Sequence, residues 1–318
     1  MRILRNVGWL LGMVTTIACN AVEAQSYPAK PIRIYAAAAG GGTDFAARIV
    51  AQHLTSSFSQ QVFVENRPVN VAIATAAKTA PDGYSLLVMG LPLWITPLLE
   101  DNVAWDPIRD FSPITMLTVQ PTVIVVHPSV AASNVRELIA LAKSKPGELN
   151  VGNAGIGTSP HLAAELFKSM AGINLASVPY AGSGPAIAGL LGNHVQVLFG
   201  TPSSIGPHIK AGKVRALAVT SAQTSVLLPD LPTAASTVPG YDLKEVLGFF
   251  TPAKTPSQLI NMLNQEANKL LRKPEVRDAF LKAEVEPVGG PPEELAAVIK
   301  SDIGKFGKLI REASIKAM

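Results

Sequence analysis

The chain has 318 residues, a formal charge of +4 at pH 7 and only 16% charged residues, with 25 glycines and 25 prolines. Its positive charge is spread without a basic run, which excludes a nucleic-acid footprint, because that would need clustered Lys and Arg with stacking aromatics. The single cysteine, Cys19, lies near the N-terminus, so the rest of the chain has no disulfide, thiol nucleophile or cysteine-bound metal.

The first 24 residues read as a signal peptide. Arg2 and Arg5 make a basic start, Val7 to Ala18 is mostly apolar, and Val22 and Ala24 are the small residues a signal peptidase needs. The apolar run is shorter than the roughly 20 residues that span a bilayer. A cleaved leader and a periplasmic protein are therefore expected. The remainder is long enough for one large or two medium domains.

Ile32 to Tyr35 is a strand pattern, followed by Gly40-Gly41-Gly42-Thr43-Asp44 and a helical run from Phe45 to Leu54. Glycine lets the backbone turn tightly and approach a bound group. Thr43 or Asp44 can cap the helix, and the partnerless N–H groups of the first turn favour an anion. Gln61 to Glu65 and Tyr84 to Met89 read as further strands around a short helix, Ile73 to Ala80. This βαβ rhythm belongs to a sheet covered on both faces. Trp94 follows the third strand directly and is either a pocket wall or a core aromatic. Ile95 to Asp110 reads as irregular. Phe111 to Leu117 and Thr122 to Val126 read as two strands separated by Gln120-Pro121.

The same grammar then recurs. After a helix over Val135 to Lys143, a strand over Leu149 to Gly152 opens into Gly155-Ile156-Gly157-Thr158-Ser159-Pro160-His161 and a helix to Met170. Pro160 suits a first helical turn, where a missing N–H costs nothing. A third instance runs from the strand Leu175 to Tyr180 through Gly182-Ser183-Gly184 to the helix Ala186 to Leu191, and Val195 to Phe199 is a strand breaking at Gly200-Thr201-Pro202. Val214 to Thr220 adds one more strand. Leu228 to Pro232 reads as a return crossing, and Val246 to Phe250 as a strand rejoining the first sheet. The rest is helical: Pro256 to Leu271, Glu275 to Lys282 and Pro292 to Ala317.

Catalytic patterns are missing. There is no G-x-S-x-G, no paired-histidine zinc motif and no Walker lysine, and Pro160 stands where a dinucleotide fingerprint would need its last glycine. What remains is backbone N–H groups and small hydroxyls at helix starts, which can satisfy a carboxylate without a buried cation. No cofactor or metal is implied. His161 is either a ligand contact or helix-start group, or plain packing.

Tyr27-Pro28-Ala29-Lys30-Pro31-Ile32-Arg33 with Gly40 to Asp44, Val64 to Pro68, Ala80 to Tyr84, Gly157 to Leu162, Val178-Pro179-Tyr180 and Pro287 to Gly290 resemble segments of the Bug-type extracytoplasmic solute receptors of tripartite tricarboxylate transporters. The resemblance runs from Tyr27 to the C-terminus. It implies an α/β, two-lobed periplasmic binding protein, a type II-like Venus flytrap with two interlobe crossings. One lobe would comprise residues 25–121 with 223–318, and the other residues 122–222. It further implies that one ligand carboxylate is held by Gly41 to Asp44 and Thr158 to His161 together, and that the ligand passes to a membrane permease of one large and one small subunit. The candidate ligand-binding set is Ala38, Gly41, Gly42, Thr43, Asp44, Trp94, Gly157, Thr158, Ser159, His161, Tyr180, Ser183, Gly200 and Thr201. Gly200 stands where the family commonly has an aspartate. Its loss, with Trp94 as an aromatic wall, points to an aromatic carboxylate or dicarboxylate and away from amino acids. A monomer is expected. The competing functions are a periplasmic sensor feeding a two-component system and a hydrolase using Ser159 or Ser183.

Overall fold

The computed structural model describes residues 27–313 and 315; the leader predicted over residues 1–24 lies outside them. The chain runs β1 (Ile32–Ala36), α1 (Gly42–Phe58), β2 (Val62–Asn66), α2 (Val69–Ala77), β3 (Ser85–Met89), α3 (Pro92–Leu99) and β4 (Phe111–Pro121). A middle section follows: β5 (Val123–Val126), α4 (Val135–Ser144), β6 (Asn150–Asn153), α5 (Ser159–Ala171), β7 (Ala176–Pro179), α6 (Ser183–Leu191), β8 (Val197–Gly200), α7 (Pro202–Lys210) and β9 (Arg215–Val219). The chain closes with β10 (Lys244–Pro252), α8 (Ser257–Leu271), α9 (Pro274–Lys282), β11 (Glu286–Pro287) and α10 (Pro292–Glu312).

Two sheets result, in the orders β11-β4-β10-β3-β1-β2 and β7-β6-β8-β5-β9. β1 pairs in parallel with β2 and β3, and β10 inserts antiparallel between β3 and β4, as the run Val246 to Phe250 predicted. Because side chains alternate along a strand, both faces of each sheet are core. Ile32, Ile34, Leu86 and Val88 pack on one side with α1 and α8 residues such as Leu54 and Leu263. Tyr35, Leu87 and Met89 pack on the other with Ile73 of α2. In the second sheet Val123 and Val125 face Ile187 and Leu190 of α6, while Ile124 and Val126 join the cluster containing Leu162 and Phe167 of α5.

The chain passes between the sheets twice, after Pro121 and again over residues 220–243. The two crossings are stitched together. The Thr122 N–H donates to Thr220 Oγ1 at 2.8 Å, and the Thr220 N–H to Thr122 O at 2.9 Å. The Thr220 hydroxyl also bonds Leu243 O at 2.9 Å. Both threonines are fully buried, where each such bond contributes about 1 kcal/mol and an orphaned partner would cost more.

Three predicted boundaries differ. Residues read as irregular after Trp94 form α3, and the break at Gly200 to Ser204 is the start of α7; each helix carries an internal proline, Pro97 and Pro207, that masks it in sequence. Gln120-Pro121 does not separate strands but ends β4, because a proline in the last strand position removes no essential ladder bond.

Candidate functional site

The first glycine turn joins β1 to α1. Gly41 is the N-cap residue and no side chain caps the helix, so the predicted capping by Thr43 or Asp44 is corrected. The first intrahelical bond is from the Phe45 N–H to Gly41 O at 2.9 Å, which leaves the N–H groups of Gly42, Thr43 and Asp44 without helical partners. The Asp44 carboxylate is buried and turned inward. It accepts from the Gly40 N–H and Asn66 Nδ2 at 2.9 Å each, and from Arg48 Nε at 2.9 Å. Burial alone would raise its pKa, but the bonds from Arg48, Gly40 and Asn66 outweigh it and hold it at about 2. Asp44 is thus an internal brace that fixes the turn, and its side chain is not a ligand contact.

The second turn joins β6 to α5 and is closed differently. Thr158 is the N-cap, and its Oγ1 accepts from the His161 N–H at 3.4 Å while donating to Gly155 O at 2.8 Å. Pro160 has no N–H. His161 Nδ1 accepts from the Gly157 N–H at 3.1 Å, which places the imidazole proton on Nε2, and burial holds its pKa below the usual histidine value. Of the first-turn donors only the Ser159 N–H stays open. Gly157 adopts φ +75°, and a Cβ there would lie 2.6 Å from Leu99 Cδ1 of α3, so the two sheets' helices meet closely at this glycine.

These turns open on two adjacent cavities. One, of about 530 Å³, is lined by Gly41, Gly42 and Thr43 together with Phe45, Gln120, Leu247 and Phe280. The other, of about 360 Å³, is lined by Gly157, Thr158, Ser159 and Ser183 with Pro92, Ile95, Thr96 and Leu99. Thr201 and Glu245 line both. The predicted loops therefore face one cleft, in adjoining cavities joined by Thr201 and Glu245.

Several predicted residues lie off these walls. Trp94 is a correction: it is 0% exposed, and its indole Nε1–H donates to Asp302 Oδ2 of α10 at 3.2 Å. The reason is helical period. Once α3 begins at Pro92, residues 92, 95, 96 and 99 share the cavity face, and Trp94 is rotated into the core. His161 braces its loop from inside, Ala38 is exposed with its carbonyl accepting from Gly41 N–H at 3.3 Å, and Gly200 is buried backbone of β8 against Ile205. The Tyr180 ring covers Gly152 and Gly189 of its own lobe. An aromatic wall exists nevertheless, from Phe45 and Phe280, whose rings meet edge-on at 5.6 Å.

Glu245 was not anticipated. It sits at the start of β10, one residue before the apolar run that marks the strand, opposite Gln120 of β4. A glutamate adjoining an apolar run at a lobe crossing is the signal that could have found it, since glutamate is depleted in strands.

Two α/β lobes joined by two crossings, with helix starts that turn backbone N–H groups and hydroxyls to the cleft between them, define a two-lobed solute-binding receptor. Residues 46–315 match the model of the tripartite tricarboxylate transporter family receptors, and the chain belongs to that family. A UPF0065 protein of Pseudomonas sp. is 33% identical over 96% of this chain and 92% of its own length. Protein BugT of Bordetella pertussis is 33% identical over 93% of each. Among solved structures, an R. palustris protein with adipate is 29% identical, covers 92% of this chain and 100% of its own, and superposes with a TM-score of 0.74. A solute-binding protein from Polaromonas, without ligand, is 27% identical, covers 90% and 100%, and has a TM-score of 0.82. Family and fold are those of solute-binding receptors.

Proposed function

We propose that the chain is a periplasmic receptor, exported by a leader over residues 1–24, that captures a small carboxylate in the cleft and hands it to a membrane permease of one large and one small subunit. The observation that carries this is the uncapped start of α1, where the N–H groups of Gly42, Thr43 and Asp44 lack helical partners beside a cavity whose walls, among the described residues, include no lysine, arginine or histidine. Backbone donors at a helix start bind a carboxylate by hydrogen bonds and by the positive end of the helix dipole. Adipate in the relative from R. palustris supports the carboxylate class. The lobes would close about the Thr122 and Thr220 crossings, bringing the chamber at Ser159 and Ser183 onto the far end of the ligand.

Phe45, Phe280 and Leu247 on one side, and Ile95 and Leu99 on the other, suit an apolar body, either a ring or an aliphatic chain. The aromatic preference first attached to Trp94 thus rests on Phe45 and Phe280 instead. A thermal-shift and calorimetric screen over aliphatic, aromatic, dicarboxylic and amino acids tests the reading. A ligand at 100 times its dissociation constant should stabilise the fold by about 2.7 kcal/mol. If no carboxylate raises the melting temperature, the receptor reading fails.

A further inference from the structure

Among the described residues, Glu245 is the only ionisable side chain shared by the walls of both cavities. It reaches the cleft from β10, in the sheet that carries the α1 turn, and lines the second cavity beside Ser159 at the first turn of α5, in the other sheet. The residue is half-buried. Its Ser159 neighbour favours the charged form and burial opposes it more strongly, with no contribution from any cationic group among the described residues. The cavity walls offer it no compensation: the other ionisable side chain on them is Glu100, an exposed acid in the second chamber.

A carboxylate fixed beside an anion seat opposes a plain anion and welcomes a ligand that also carries positive charge. We propose that Glu245 is a specificity-determining residue that selects carboxylates bearing an ammonium or comparable cationic group. The ligand carboxylate would rest on the open N–H groups of Gly42 to Asp44, and its cation on Glu245. This inference rests on the carboxylate-receptor reading and narrows its ligand class to zwitterions. It also gives closure a physical trigger: a cation held between Glu245 and the Ser159 hydroxyl touches both lobes at once and so favours the closed arrangement over the open one.

The test is calorimetry on the purified protein with matched compounds, succinate against aspartate and adipate against 6-aminohexanoate and 2-aminoadipate. In the wild-type protein an amino-bearing member should bind at least tenfold tighter than its plain counterpart. Glu245→Gln should erase that preference while tightening the plain dicarboxylate, and Glu245→Asp, which keeps the charge, should retain the preference. The inference is overturned if the wild-type protein prefers the plain member of each set, or if a folded Glu245→Gln leaves the ratio unchanged. Lowering the pH should likewise tighten adipate in the wild type and not in Glu245→Gln, because a proton on Glu245 removes the same charge, and equal tightening in both proteins would overturn the inference. If no carboxylate of either kind binds, the receptor reading itself has failed, which is a distinct outcome.

Discussion

The glycine turn before α1 and the glycine turn before α5 are built from the same local pieces, a strand, a glycine loop and a helix start, yet they present different chemistry. Before α1 the bracing group is Asp44, whose charge is directed backwards onto Gly40, Asn66 and Arg48, leaving the helix N–H groups free. Before α5 the brace is neutral His161, and Thr158 with Pro160 removes most of the donors. The lesson is that anion capacity at a helix start depends on what its own side chains have already satisfied. On the proposed reading the seat belongs to the first lobe, and the second lobe contributes the hydroxyls of Thr158, Ser159 and Ser183, which line one cavity with Glu245.

The comparison can be broken at its largest energies first. Asp44→Ala should lower stability by about 3 kcal/mol, since it orphans the donors of Gly40 and Asn66 along with Arg48; denaturant titration reads the change. The same brace is visible in pH. The Asp44 pKa is lowered in the folded state to about 2, so its contribution is complete above the unfolded value of about 4 and is lost as pH falls from there towards 2. Asp44→Asn should flatten that part of the acid-unfolding profile, whereas an unchanged profile would remove the brace from Asp44.

Gly157→Ala comes next. A left-handed φ of +75° and a Cβ 2.6 Å from Leu99 together should cost about 2 kcal/mol. Gly42→Ala in the other turn meets nothing within 4 Å and should stay within about 0.5 kcal/mol of wild type. Equal losses in the two melts would contradict the close approach at Gly157.

Smaller effects separate binding from folding. Thr43→Pro removes one open N–H in the first helical turn, where proline is tolerated, and the preceding Gly42 has no Cβ to clash. It should weaken carboxylate binding about tenfold or more, the loss expected for one hydrogen bond to a charged group, with an unchanged melt. Thr158→Ala should do the reverse, costing about 1 kcal/mol of stability through the lost cap while changing affinity less. If Thr158→Ala weakens binding more than Thr43→Pro does, the assignment of the seat to the first lobe is wrong.

Most of the fold was legible because apolar runs of strand length and helical spacing mark their elements locally, down to the return of Val246 to Phe250 into the first sheet. α3 and α7 were not, because Pro97 and Pro207 interrupt the helical pattern although the helices accommodate them. At the site, the two glycine turns, Ser183 and Thr201 were legible as hydroxyl-bearing loops after strands. Trp94 was open to two readings, and the helix that contains it decided for the core. Gly200 leaves β8 without an acid at the cleft, while β10 brings Glu245 to it from the other sheet, a placement no local pattern reveals.

The sequence by itself determined that the chain makes glycine-turn helix starts after strands and offers no motif for covalent or metal chemistry, because turn geometry and N–H exposure depend on neighbouring residues. Only the tertiary structure decided which start stays open, where the acid stands and which aromatics face the cleft. Those outcomes are set by partners remote in sequence: Asn66 holds Asp44 across 22 positions and Asp302 holds Trp94 across 208, and no local pattern encodes such pairs.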